Sequence, residues 1–335
     1  MRLIKSKKHL SHLAVLLSLL MLVVALVSGC TQSKENTSRK QESTSSGKES
    51  GLFEIRDMTG REVKLDKAAE RIVVLSPSDC EILFAIGAGE KVVGRGEYCD
   101  YPEEVLNIPS VQSGAETNLE QIIALNPQLV IMTKMAQSKE QVEILENAGI
   151  KVVVTDAQDI EGVYTAIELI GTVTGMKAEA EAVINRMKST IADISAKVKE
   201  KGSEYSTKTV YFEASPLQYG LWTAGKGTFI DELIAILGLN NAFSDIEGWG
   251  EISQEQVIER NPDYILTTTM YSTVEGLTPI EEIMGRKGWE NIKAIRAHNV
   301  INIDPNEVSR PGPRLTDVLT KLYSFIYEDK ITENK

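Results

Sequence analysis

Asn118-Leu119-Glu120-Gln121-Ile122-Ile123-Ala124-Leu125-Asn126-Pro127-Gln128-Leu129-Val130-Ile131 returns 135 positions later as Ser253-Gln254-Glu255-Gln256-Val257-Ile258-Glu259-Arg260-Asn261-Pro262-Asp263-Tyr264-Ile265-Leu266. Each copy reads as the same unit. A helix-capping residue (Asn118, Ser253) is followed three positions on by Gln (Gln121, Gln256), a capping-box spacing, and Asn-Pro then stops the helix before a buried strand. A repeat at one constant offset predicts two similar lobes. Glu120 and Glu255 occupy the same first-turn position in the two copies. Acidic residues there complement the helix dipole, so contact with a partner is an alternative that needs its own support.

Around this repeat the pattern is α/β. Residues 53–65 (FEIRDMTGREVKL) read as a hairpin turned at Thr59-Gly60, and Arg71 to Leu75 is a β-branched run expected to be a buried strand. Ser76-Pro77 opens a helix, with Ser as N-cap and Pro at the first helical position, and Gly87 stops it. Strand-like and helical segments keep alternating to Thr155, the signature of a parallel sheet covered by helices. From Lys177 to Glu200 the chain is rich in Ala, Glu, Lys, Met and Ile at helical spacing. A helix of that length is about 36 Å long and reads as one connector between lobes. Alternation then resumes from Thr209, and the chain closes on a helix from about Arg314 to Tyr327.

The N-terminus carries an address. Arg2, Lys5, Lys7 and Lys8 precede an uncharged apolar run from Leu13 to Val27, which ends in Val27-Ser28-Gly29-Cys30. This reads as a secretory signal cut before a cysteine that is acylated through its thiol. The run is shorter than the roughly 18 residues a membrane span needs. Two acyl chains on Cys30 give stable anchoring where one would be marginal. Residues 31–50 hold no aromatic or aliphatic side chain, so they form a tether with an end-to-end distance of roughly 25 Å. The expected organisation is therefore a lipoprotein signal peptide at 1–29, the lipidated Cys30 and tether at 30–50, an N-terminal lobe at 51–160, connecting helices at 161–205 and a C-terminal lobe at 206–330.

Loss of the four basic residues with the leader takes the formal net charge from −12 to −16, which argues against a nucleic-acid partner. Cys80 and Cys99 are the remaining cysteines; they either pair in an oxidising compartment or stay free and inert. His298 is the one histidine left after the leader, too few for a zinc or manganese cluster. There is no GxSxG elbow, P-loop or CxxC pair, and Gly87-Ala88-Gly89 lacks the third glycine of a dinucleotide site, so no catalytic residue is assigned.

The segments RIVVLSPSDCEILFAIGAGEKVVGRGEYCDYPEEV, TNLEQIIALNPQLVI, ISQEQVIERNPDYIL, GWENIKAIRAHNVINID and EVSRPGPRL, in this order, resemble the binding-protein family for iron complexes and cobalamin. The resemblance implies two Rossmann-like lobes joined by one long helix, with ligand held in the cleft between them. It implies an extracytoplasmic monomer, held at the outer face of the cell membrane through its lipid alone. Its partners would be an ABC permease dimer with a cytoplasmic ATPase, and no cofactor is expected beyond the transported ligand. In this family each lobe presents a glutamate to permease arginines, and the matching positions here are Glu120 and Glu255.

Cobalamin binders among such proteins share the stretch written here Tyr98-Cys99-Asp100-Tyr101-Pro102 and an aromatic residue at the position of Trp249. A corrin is a broad, largely apolar plate edged by amides, and it wants aromatic faces with a few donors. Tyr98, Trp222 and Trp249 are the candidate faces, Arg310 is the candidate donor, and Trp289 is expected to be core. The chain departs from the cobalamin pattern at Gly114-Ala115, where a tryptophan precedes Asn-Leu-Glu in the binder used for comparison. The alternatives are a ferric siderophore, with Arg95, Lys134, Lys226 or Arg310 as charge partners, and haem, with Tyr98 or Tyr101 as axial ligand.

Overall fold

A computed structural model describes residues 53–114, 116–134, 139–270, 272 and 274–328. The leader, Cys30, the tether and Ala115 lie outside the described residues. β1 (Phe53–Arg56) and β2 (Glu62–Leu65) pair antiparallel, and Asp57 shapes the turn between them by accepting from the amides of Thr59 and Arg61. β3 (Ile72–Val74), β4 (Val92–Gly96), β5 (Ser110–Val111), β6 (Leu129–Thr133) and β7 (Lys151–Thr155) then form a parallel sheet in the order β5-β4-β3-β6-β7.

The second half holds β8 (Thr209–Glu213), β9 (Leu221–Ala224), β10 (Asn240–Asn241), β11 (Trp249–Ile252), β12 (Tyr264–Thr267) and β13 (Val300–Asn302). Four of these make a parallel sheet in the order β10-β8-β12-β13, which reproduces β4-β3-β6-β7 strand for strand. β9 and β11 are an insertion, paired antiparallel as a separate ribbon. Successive side chains of a strand point to opposite faces, and both sheets sort accordingly. Ile72, Val74, Leu129, Ile131, Val210, Phe212 and Leu266 enter one continuous core that runs through both lobes. Val73, Val130 and Met132 face an outer core of the first lobe, while Tyr211 and Ile265 face one of the second.

The helices follow their caps, with two departures from expectation. Helix Pro77–Ala85 starts with Pro in its first turn, and Gly87 at φ 78° supplies the left-handed turn after it. Ser76 stands at the N-cap, but its hydroxyl contacts the Ser78 hydroxyl at 2.9 Å instead of capping an amide. In the repeat, Ser253 and Gln256 complete a capping box; Asn118 accepts from the Gln121 amide at 3.0 Å, whereas the Gln121 side chain turns to the Gln112 amide.

The lobes are joined by helix Ile160–Thr174 and helix Lys177–Glu200, the latter of 24 residues. Ala180, Val183, Met187 and Ile194 make its buried stripe. The two helices meet closely at Gly171, where a Cβ would lie 2.4 Å from that of Ala180. Helix Leu315–Tyr327 returns along the connector, with Lys197 over the Tyr323 ring and Lys201 donating to the Tyr327 carbonyl. The architecture is thus α/β, with two Rossmann-like lobes, one long connecting helix and a cleft between.

Candidate functional site

The β9–β11 ribbon decides where two of the predicted aromatic residues stand. Its register sets Trp222 opposite Glu251 and Trp249 opposite Ala224, so both indoles belong to the same face and are diagonal neighbours. Leu221, Thr223 and Ile252 take the opposite face and are buried. Trp222 and Trp249 remain 42% and 41% exposed. Trp249 is held edge-on by Phe212 and Phe229, with ring centroids 6.0 and 6.1 Å away. A large aromatic ring is thereby fixed in position and left partly open, which suits stacking against a flat ligand.

Tyr98 lies on the loop after β4, beyond the C-terminal edge of a parallel sheet, where ligands of open α/β folds bind. It is 63% exposed. The loop around it is built by arginines. Arg95 Nη1 donates to the carbonyls of Gly96, Glu97 and Cys99 at 3.3, 3.3 and 3.1 Å. Tyr101 lies under the Arg314 guanidinium, 4.2 Å from its ring centroid.

Arg310 was expected to offer donors to a ligand, yet its terminal nitrogens are engaged by the protein. Nη1 donates to Glu81 at 3.1 Å and to Asp100 at 2.6 Å, and Nη2 to Asn306 at 2.7 Å and to the Tyr98 carbonyl at 3.4 Å. Arg314 also grips Glu81, through Nε at 2.8 Å and through Nη2. Glu81 belongs to the first lobe, and both arginines follow the second sheet, so this largely buried cluster is a second tie between the halves. Arg310 positions the Tyr98 loop. Its charge holds the Asp100 carboxyl below the usual carboxylate range through a direct hydrogen bond. A depression lined by Glu81, Phe84, Tyr101, Pro102, Arg314 and Asp317 adjoins the cluster and includes none of Tyr98, Trp222 and Trp249.

The other cations considered for an anionic chelate are paired as well, Lys134 with Asp156 at 2.7 Å and Lys226 with Glu247 at 3.6 Å. Trp289 is completely buried against Tyr211 and beneath Arg286, which itself bonds Glu213. Cys80 and Cys99 are free, buried thiols; a hydrogen bond to Cys99 and burial hold the Cys80 thiol far above its ordinary range. Among the described residues no group of three or more His, Cys, Asp or Glu side chains is arranged to hold a metal ion. Asp79, expected from the sequence to be a solvated helix-start residue, is instead buried on the first turn of helix Pro77–Ala85. The Thr155 hydroxyl lies 2.9 Å from one of its oxygens and 3.0 Å from the other.

Glu120 and Glu255 are both exposed at the second position of their short helices. The Glu255 carboxyl is held low, first by its own backbone amide and then by the Ser253 hydroxyl.

Two lobes on parallel sheets joined by one long helix are the architecture of a solute-binding protein of the single-helix-linked class. The profile of the periplasmic binding protein family matches residues 72–307, and the chain belongs to that family. It is 33% identical over 317 residues to the uncharacterized ABC transporter substrate-binding lipoprotein YvrC of Bacillus subtilis, covering 94% of this chain and 97% of the relative. It is 32% identical over 252 residues to the vitamin B12-binding protein of Salmonella typhimurium, covering 74% and 86%. Among solved structures, a possible iron-binding (periplasmic solute-binding) protein from Staphylococcus epidermidis superimposes with a TM-score of 0.65 at 32% identity, covering 78% of this chain and all of the other. The chain is accordingly the substrate-binding component of an ABC importer, which works with a permease and an ATPase, and not an enzyme.

Proposed function

We propose that the chain is a lipid-anchored receptor on the outer face of the cell membrane, fixed through Cys30, that captures a corrinoid and hands it to the importer's permease. The observation that carries the corrinoid reading is the combination of open aromatic rings with cations that already have protein partners. Trp222 and Trp249 share one ribbon face, and Tyr98 is open, while Arg95, Lys134, Lys226 and Arg310 all have protein partners. An anionic ferric siderophore draws its affinity from free cations, whereas an amide-edged corrin plate draws it from apolar faces. Similarity to a vitamin B12-binding protein supports the same choice.

A ferric siderophore or haem is the second reading. Its support is the likeness to a possible iron-binding protein and, for haem, the open Tyr98 as an axial ligand.

Delivery is assigned to Glu120 and Glu255, one on each lobe at equivalent positions, each meeting a cationic cluster on a two-fold permease. Uptake of labelled cyanocobalamin by cells carrying wild type, Glu120→Lys, Glu255→Lys or the double variant tests this, alongside titration of each isolated protein. The expected result is loss of uptake in the double variant with ligand affinity unchanged. Normal uptake would return both glutamates to a helix-dipole role, and no uptake by wild type would refute the corrinoid reading.

A further inference from the structure

The repeat is reproduced in burial as well as in sequence, and the copy includes a residue that the acidic motif does not explain. Ile122 and Val257 are buried beneath their helices, and the next residue in each copy, Ile123 and Ile258, is left 39% and 41% exposed. A single exposed aliphatic residue on a protein surface is ordinary. Two at the same position of two lobes, each one turn beyond an exposed glutamate, form a repeated pattern. Residues three apart share a helix face, so Glu120 with Ile123 and Glu255 with Ile258 make two equivalent patches, each a charge beside an apolar side chain. Gly288, at φ 91°, lies beside the second patch, where a Cβ would stand 3.9 Å from Ile258 Cδ1.

We infer that Ile123 and Ile258 are paired apolar anchors that seat against the two symmetry-related halves of the permease, while the neighbouring glutamates orient the encounter. This rests on the delivery role proposed above and adds to it the source of the lifetime of the docked state. Two equivalent patches on one chain are met equally well only by a partner that is itself two-fold symmetric. Charge at such a contact sets the rate of encounter and its salt dependence, and desolvated apolar area sets how slowly the complex parts.

The test uses the full-length protein and the permease–ATPase complex of the same importer in lipid nanodiscs, with affinity measured at low and at high salt. Ile123→Asn and Ile258→Asn should each weaken docking about fivefold, and together about 25-fold, from loss of roughly half an isoleucine's burial apiece. The loss should be the same at both salts. Glu120→Gln with Glu255→Gln should instead weaken docking at low salt and matter little at high salt. Unchanged thermal melting and unchanged cyanocobalamin titration show that the isoleucine variants are folded. Wild-type affinity in the double isoleucine variant, with the glutamate variant impaired, overturns the inference and leaves docking to charge alone. Failure of wild type to dock while it still binds ligand removes the delivery role itself, and the inference with it. Self-association of wild type that the isoleucine substitutions abolish makes the patch a dimer surface and also overturns it.

Discussion

Asn126 and Asn261, 135 positions apart, share one left-handed backbone conformation, at φ 49° and 46°. Each ends the helix of its repeat, and each precedes the proline that leads into a central strand. Asparagine tolerates this region better than other non-glycine residues, and so the same residue stands at the same corner of both lobes. Asn126→Ala should lower unfolding free energy by about 1–2 kcal/mol, whereas Asn126→Gly stays close to wild type; at Asn261 both variants also lose the bond its side-chain oxygen accepts from the Lys293 amide at 2.8 Å. Urea midpoints read this directly, and equal behaviour of alanine and glycine would remove backbone strain as the cause.

Trp249 and Trp289 should behave in opposite ways. Trp249→Ala removes a half-open ring and should cost about 1–3 kcal/mol of corrinoid affinity, with a smaller loss of melting temperature than Trp289→Ala because part of the ring packs on Phe212 and Phe229. Trp289→Ala empties a fully enclosed site and should cost about 3–5 kcal/mol of stability with affinity retained in the folded fraction. Tryptophan-quenching titrations beside thermal melts separate the two, and an exchange of these phenotypes would relocate the cleft.

Glu81 is shared by Arg310 and Arg314, so Glu81→Gln takes the counter-charge from the largely buried Arg314 guanidinium and leaves Arg310 with Asp100 alone. Breaking a buried pair from one side typically costs about 3–5 kcal/mol, and a loss of this size is expected here. The Tyr98 loop should loosen with it, because Arg310 also holds Asp100 and the Tyr98 carbonyl. Faster hydrogen exchange confined to residues 97–101 is the second readout; a stability loss below about 0.5 kcal/mol would mean that the cluster is no better than a surface ion pair.

How much of this was legible in the sequence depended on distance along the chain. The hairpin, the Lys177–Glu200 helix and the two caps of the repeat rest on periodicities and spacings within a few residues, and the structure has them. The β9–β11 ribbon joins Leu221–Ala224 to Trp249–Ile252 across an intervening helix, and no local pattern announces that pairing. The same holds for Arg310 and Glu81, 229 positions apart. A cationic side chain in a loop looks free until its partner is placed beside it. Glu120 and Glu255 were visible because the repeat compares the chain with itself.

Asp79 should add a pH-dependent contribution to stability. Burial pushes its carboxyl up to about 7, against 3.8 for an ordinary aspartate, and the Thr155 hydroxyl offsets only part of this. A raised folded-state value means that the native protein holds the proton more tightly than the unfolded chain. The resulting contribution is fully present below about pH 4 and is lost as pH rises to about 7. Wild type should therefore lose stability relative to Asp79→Asn across that window, by at most about 4.5 kcal/mol at about 1.4 kcal/mol per unit, and then level off. Denaturant titrations of both proteins from acid to neutral pH check it, and a difference independent of pH would contradict it.

Anchoring through Cys30 predicts that a fatty-acid probe labels wild type in growing cells and fails to label Cys30→Ser, which should be found uncleaved or released. Equal labelling of the two would dismiss the lipid anchor.

The most direct measurement of the central claim is a side-by-side titration of the purified chain from Glu49 onward with cyanocobalamin, cobinamide, haemin and a panel of ferric siderophores, followed by tryptophan quenching. Saturable one-to-one binding of a corrinoid, weakened by Trp249→Ala, is expected, with every siderophore bound more weakly. Tighter binding of haemin or of a ferric siderophore, or the absence of corrinoid binding, would contradict it.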